Sequence, residues 1–166
     1  QYTYDQHNLY PSKVINALGQ ETRYTYDYSS EQVYTSTDPN NNTVTNAYDG
    51  IGRLVKTEVA DPSNISNVTQ AAWKYNDHQF PSNIHETRYL DSETLSSAHT
   101  YYDGFGRTIQ SRSSLGDTYS VKDTVYNSNN LLEKESIPYF NDGSGFTQPT
   151  PVTNQLITYI HDSLGR

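Results

Sequence analysis

"AYDGIGRLVKTEV", residues 47–59, returns as "YYDGFGRTIQSRS" at 101–113 and, cut short, as "IHDSLGR" at 160–166. A catalytic motif is needed once; a phrase that recurs in one short chain belongs to the architecture. Aligned on the Tyr of Tyr-Asp, the anchors are Tyr4, Tyr26, Tyr48, Tyr75, Tyr102 and Tyr126, with His161 in the last slot. Their spacings are 22, 22, 27, 27, 24 and 35 residues. A recurring period in the twenties marks a repeat architecture, with loop insertions behind the variation. The longest interval contains "NDGSGFTQPTPV", residues 141–152, expected to be a flexible inserted loop.

The residue after each anchor is Asp5, Asp27, Asp49, Asn76, Asp103, Asn127 or Asp162. All are Asp or Asn, whose side chains cap the backbone of a turn. Four residues after the anchor stand Asn8, Gly52, Gly106, Asn130 and Gly165, the residue types that best tolerate a left-handed backbone. Together these predict a three-residue hairpin loop, a type I turn followed by a left-handed residue that makes a bulge. Ser30 and Gln79 occupy the same slot and predict turns of another shape. Arg53, Arg107 and Arg166 follow the turn glycine. Each either pairs with Asp49, Asp103 or Asp162 across the turn, or lays its stem along the Tyr ring. Leu9, Glu31, Phe80 and Leu131 hold this slot elsewhere, so no single charge there is essential to the hairpin.

The flanks are strand-like and alternate roughly at period two, as in "ETRYTYD" before a turn and "RLVKTEVA" after it. "NALGQ", "DPNNN" and "SLGD" close the units at their other end. "LLEKES" has helical propensity but stands in the slot of "RLVKTE", and the register decides for a strand. The fold class is therefore all-β: hairpins stacked edge to edge into a continuous curved sheet. The chain reads as one array over 1–166 of about seven hairpin units, the last truncated.

Composition sets the limits. Hydrophobic residues are only 33% of the 166, yet 16 are tyrosines, which disordered chains lack. The expectation is an ordered, polar sheet with a thin core, its tyrosine rings packed and their hydroxyls in water. A net charge of −8 repels phosphate backbones and argues against nucleic acid as a partner. No stretch has the apolar length of a membrane span. Without cysteine there are no disulfides or thiolate metal sites. A Met-free chain that starts at Gln1 and stops inside the motif is expected to be part of a longer array. Asn41, Asn64 and Asn67 stand in glycosylation sequons, a match expected by chance in so Asn-, Ser- and Thr-rich a chain.

With "YDGIGR", "YDGFGR" and "HDSLGR" spaced in the twenties, nearly the whole chain resembles the YD-repeat, or RHS-repeat, family. The resemblance implies a strip of hairpins that spirals into a hollow shell, and bacterial toxin members enclose a cytotoxic effector within it. It therefore implies a non-catalytic wall segment of a secreted or surface-exposed bacterial protein. Its partners would be the remainder of its own longer chain, the enclosed effector and other toxin-complex subunits. The alternative is a cell-surface adhesion module that binds carbohydrate or protein. The family's self-cleaving Asp-Pro-x-Gly pattern is not matched: the Asp-Pro pairs at Asp38 and Asp61 lack the Gly and read as turns between hairpins.

Chemistry finds little purchase elsewhere. His7, His78, His85, His99 and His161 lack metal-motif spacing, though facing hairpins would bring two of them together. "NDGSGF" lacks the alternating acidic ligands of a calcium loop. No nucleophile elbow is present, and Glu133 with Glu135 share one solvated strand face. No cofactor, metal or enzymatic activity is expected. Tyrosines at matching points of successive hairpins are expected to stack as a ladder that serves as core, with an exposed sugar platform as the alternative. Trp73 is expected to pack with them.

Overall fold

A computed structural model of the chain describes residues 1–60, 67–89, 95–149 and 156–162. Gly165 and Arg166 of the motif, Asp61, Asn64 and residues 150–152 of the expected loop lie outside them. The fold class is as expected: the described residues form fourteen antiparallel strands and no helix. Two compact units divide the chain, Gln1–Trp73 with Arg88–Ser92, and Lys74–Thr87 with Glu93–Arg166.

The first unit contains β1 (Tyr2–Tyr4), β2 (Pro11–Ile15), β3 (Glu21–Asp27), β4 (Gln32–Thr37), β5 (Thr43–Tyr48), β6 (Leu54–Ala60) and most of β7 (Asn67–Asn76). Each strand pairs with the next in sequence. Threonines face one another across the ladder: Thr25 Oγ1 meets Thr35 Oγ1 at 2.6 Å, and Thr37 Oγ1 meets Thr43 Oγ1 at 2.9 Å. Such pairs contribute roughly 0.2–1 kcal/mol each. Ala71 is the unit's one buried apolar residue among those described.

The second unit takes the end of β7, then β8 (Ser82–Tyr89, its last two residues in the first unit), β9 (Leu95–Tyr102), β10 (Thr108–Leu115), β11 (Thr118–Tyr126) and β12 (Leu132–Ser136). β10 and β11 join through a two-residue turn in which Gly116 holds a positive φ of 66°. This is the hairpin geometry that suits the natural strand twist. Beyond β12 the order breaks. β13 (Tyr139–Asp142) pairs with β11 at Thr118–Val121, and β14 (Leu156–Thr158) pairs with β12. The insertion thus begins as a strand at Asn141 and Asp142 and runs on outside any strand over residues 143–149. Its residues 143–147 lie against side chains of β9 and β10.

The core is thin, as the composition implied. In the second unit Tyr101 and Val121 are the buried apolar residues among those described. Asn83, Gln110, Arg112, Asp123 and Ser136 are buried polar ones. Polar groups outnumber apolar ones inside, so hydrogen bonding decides how this unit closes.

The anchors occupy one structural position. Tyr4, Tyr26, Tyr48, Tyr75, Tyr102 and Tyr126 each sit at or next to the C-terminal end of β1, β3, β5, β7, β9 and β11. The register slips by one residue beside Tyr4, Tyr26, Tyr48, Tyr102 and Tyr126, leaving Ser12, Tyr34, Val55, Ile109 and Glu133 as the extra residues opposite. The bulge that the turn chemistry predicted lies at the left-handed residue itself; these slips are a second bulge in each hairpin, three or four residues further along, which the turn chemistry did not foresee.

Candidate functional site: turn corners and the anchor of a strap

The corners are built by one Asp or Asn each. Asp49 N donates to Arg53 O at 2.9 Å, and Gly52 N donates to Asp49 O at 3.0 Å. Asp49 Oδ1 accepts from the amides of Ile51 (3.1 Å) and Arg53 (2.9 Å). Gly52 closes the turn at φ 82°. Asp103 with Gly106 (φ 76°), and Asn127 with Asn130 (φ 63°), repeat the same set of bonds. Asp5 caps His7 and Leu9 in the same way, with Asn8 at φ 55°. Its turn carries one residue more than expected, because Asp5 N reaches Tyr10 O. After Asp27 the left-handed residue is Glu31 (φ 56°) rather than Ser30. The Gln79 turn has no positive φ, and there Asn76 Nδ2 donates instead to buried Asn83 Oδ1 at 2.8 Å. Both exceptions therefore have the other shape that their sequences required.

The turns at the opposite ends of the hairpins use the same grammar. Asn16 caps Leu18 and Gln20 before Gly19 (φ 77°), and Asp38 caps Asn40 and Asn42 before Asn41 (φ 64°). Asp38-Pro39 is turn chemistry, as read from the sequence. The capping bonds hold the carboxyls acidic. The Arg53 amide, foremost, lowers the Asp49 carboxyl below its ordinary range, and the Asn42 side chain does so for Asp38. At Asp103, burial pushes upward, but the Arg107 side chain and the turn amides outweigh it.

Both readings of the motif arginine hold at once in Arg107. Its Nε lies 2.8 Å from Asp103 Oδ2, and its guanidinium sits 4.2 Å over the Tyr126 ring. Its Nη1 also donates to Asn130 Oδ1 at 3.0 Å, in the next corner along the chain. Arg53 shares the first kind of bond, to Asp49 Oδ2 at 2.7 Å. Corner-to-corner links were not visible in the sequence. A second one runs from Tyr28 Oη to Asp5 Oδ2 at 2.8 Å.

The anchor tyrosines do something their rings did not reveal. β2 and β3 stop pairing at Lys13, and β4 and β5 stop at Thr35, before the corners are reached. Beyond that point Tyr26 Oη donates to Pro11 O at 2.9 Å, and Tyr48 Oη donates to Val33 O at 2.8 Å. A phenol thus completes the contact between hairpins where the backbone ladder has run out, and these hydroxyls are not left in water. Tyr26→Phe and Tyr48→Phe should each lower stability by about 0.5–1.5 kcal/mol in denaturant titrations. Tyr48→Phe should be the milder, since Asn46 Nδ2 still serves Val33 O at 3.2 Å. The expected ring ladder takes another form. Tyr26 stacks on Tyr10 at 4.7 Å, a tyrosine outside the anchor series.

In the second unit, residues 139–149 form a strap fixed by a buried polar cluster that the sequence reading missed. Arg112 is 1% exposed. Its Nε donates to Gln110 Oε1 (2.9 Å), its Nη1 to Gly143 O (2.7 Å) and Asn141 Oδ1 (3.2 Å), and its Nη2 to Thr147 Oγ1 (2.6 Å). Gln110 Nε2 donates to Asp123 Oδ1 (2.6 Å) and Thr147 O (2.8 Å). Tyr139 Oη donates to Asp123 Oδ2, and Asp123 N donates to Ser136 Oγ. Tyr101 Oη donates to Ser144 O at 2.6 Å, with Phe146 tilted on its ring at 5.5 Å. A buried cation and a buried anion therefore share one network through Gln110, the arrangement that makes buried charge tolerable.

Two histidines do meet. The rings of His85 and His99 stack at 4.1 Å and 7°. His161 Nε2 lies 2.6 Å from Leu132 O. Among the described residues no group of three metal-ligating side chains occurs. Asp162 follows His161 outside any strand. A groove in the second unit, with a volume of about 450 Å³, is lined by Phe80, Tyr126, Phe146, Pro149 and the Asp103–Arg107 pair.

No family model and no curated protein matches this sequence. Solved structures do. Over its full length the chain superposes on 13% of a chain in "Crystal Structure of TcdB2-TccC3-TEV", with a TM-score of 0.82 and 13% identity. "Crystal Structure of TcdB2-TccC3 without hypervariable C-terminal region" gives 0.79 at 12% identity, again over all of this chain and 13% of that one. "Crystal Structure of TcdB2-TccC3-Cdc42" gives 0.78 at 13%, with the same shares. At these identities the likeness is one of fold: this chain has the fold of a stretch of the TcdB2-TccC3 chains and spans 13% of their length.

Proposed function

We propose that this chain is a wall segment of a secreted YD-repeat protein, whose role is to enclose an effector domain rather than to catalyse a reaction. The observation that carries this reading is the recurring corner, an Asp or Asn cap closed by Gly or Asn, on a chain whose whole length takes the fold of the TcdB2-TccC3 chains. Such corners place their chemistry in backbone geometry. Other segments of its own chain, the enclosed polypeptide and other toxin-complex subunits are the partners on this reading. Two anchor hydroxyls are committed to backbone carbonyls, which removes them from any sugar platform.

Electron microscopy and limited proteolysis of the full-length protein test the proposal. A closed hollow particle in which a non-repeat segment survives protease is expected. An open strip whose segments are all digested at similar rates would overturn enclosure, and retention on a glycan array would then favour the adhesion reading.

A further inference from the structure

In the groove, Asp103 and Arg107 neutralise one another, so no net charge there selects a ligand. The histidine pair has a more definite consequence. His99 on β9 stands directly opposite Arg112 on β10 in the antiparallel register. Arg112 is the residue that grips Asn141, Gly143 and Thr147 of the strap. His99 also stacks towards Tyr101 at 6.4 Å, and Tyr101 holds Ser144 and Phe146. His85 on β8 stacks on the His99 ring and is tied by Nε2 to Ser97 Oγ at 2.8 Å.

We propose that the stacked imidazoles of His85 and His99 form an acid-sensitive latch, whose protonation loosens the strap of residues 139–149. The surroundings make the sign unambiguous. Lys74 on β7 acts on His85, and Arg112 on β10 acts on His99, both as cations. From β11 the neighbour is the Tyr119 ring, edge-on at 5.9 Å. Asp123, also on β11, is engaged by Gln110 and Tyr139. Neutral rings stack well, whereas like charges directly opposite one another on a sheet repel. Burial first, then His85 and Arg112, lower the His99 pKa to about 4; burial, then Lys74, lowers that of His85. A base held below its unfolded value of about 6.5 stabilises the closed state at neutral pH. That contribution is lost as pH falls from about 6.5 through the folded value. The Asp49 and Asp103 carboxyls are held below their ordinary range, so these corners stay charged and closed while the pair takes up its protons.

Hydrogen exchange of the full-length protein reads the latch. Corrected for intrinsic rates, protection of the strap amides, Thr147 above all, should fall by about tenfold or more between pH 7 and pH 5. His99→Phe keeps a ring on His85 and removes the charge, and should leave that protection nearly flat with pH. Constant protection in the wild type, or the same fall in His99→Phe, would overturn the latch. Should His99→Phe fail to fold, a proton NMR titration of the wild-type imidazoles decides. Two rings titrating near 6.5 refute the proposal, and two titrating well below it support it.

Discussion

Arg112→Ala should destabilise the second unit by roughly 3–5 kcal/mol, the cost typical of breaking a buried, hydrogen-bonded charge network. The guanidinium is 1% exposed and donates to four separate groups. Its removal strands the Gly143 carbonyl and the Asn141 and Thr147 oxygens, leaves Gln110 Oε1 with the Thr147 amide at 3.3 Å, and takes from Asp123 the cation that balances it through Gln110. Water entering the cavity would offset part of this, which is why the lower end of the range is the safer expectation. Arg112→Lys is the informative companion. It keeps the charge, but a single ammonium cannot span partners that a planar fork reaches together. It should fall between wild type and Ala, and its loss should appear first as exchange in residues 141–147. Chemical denaturation and exchange mass spectrometry that follows peptides of the second unit would check both. A cost below about 1 kcal/mol for Arg112→Ala would mean that the strap is held by something else.

That cluster also marks where the sequence stopped being informative. Corner chemistry is local: Asp49 meets the amides of Ile51 and Arg53, within four residues of itself, so a turn could be read directly from "YDGIGR". The exceptions at Ser30 and Gln79 were legible for the same reason. Gln110, Arg112 and Asp123, by contrast, look like ordinary polar strand residues. What buries them is a segment some thirty residues downstream that returns across their face, and its first stretch resembled a loop because it is rich in Gly, Asn and Ser. The tyrosines fall between the two cases. Their place beside the turn was readable, but the target of each hydroxyl depends on where pairing between neighbouring hairpins ends. That is a property of two repeats, not one. The stack of His85 on His99 likewise required the register of β8 against β9.

The two glycines of one corner should respond in opposite directions. Gly52 sits at φ 82°, and a Cβ there would meet nothing nearer than the Ser30 carbonyl at 4.0 Å. Space is not the obstacle, so any penalty is conformational. A left-handed backbone costs an ordinary residue about 1–2 kcal/mol, and a β-branched one lies at the upper end or beyond. Gly52→Val should therefore lower stability by about 2 kcal/mol, Gly52→Ala by about 1 kcal/mol and Gly52→Asn by a few tenths. The chain itself supports the last figure, since Asn8, Asn41 and Asn130 hold φ values of 55°, 64° and 63°. Gly50, two residues earlier, has no positive φ and open space around it. There Gly50→Ala should be neutral or stabilise by about 0.4–1 kcal/mol, because it restricts the unfolded chain without straining the folded one. Denaturant midpoints of the four variants in one background make the comparison. If Val and Asn at position 52 do equal damage, the left-handed hinge is not what shapes the corner. If Ala at 50 costs as much as Ala at 52, the penalty is one of packing, and the recurring Gly would have to be explained by contacts that the open space around it does not provide.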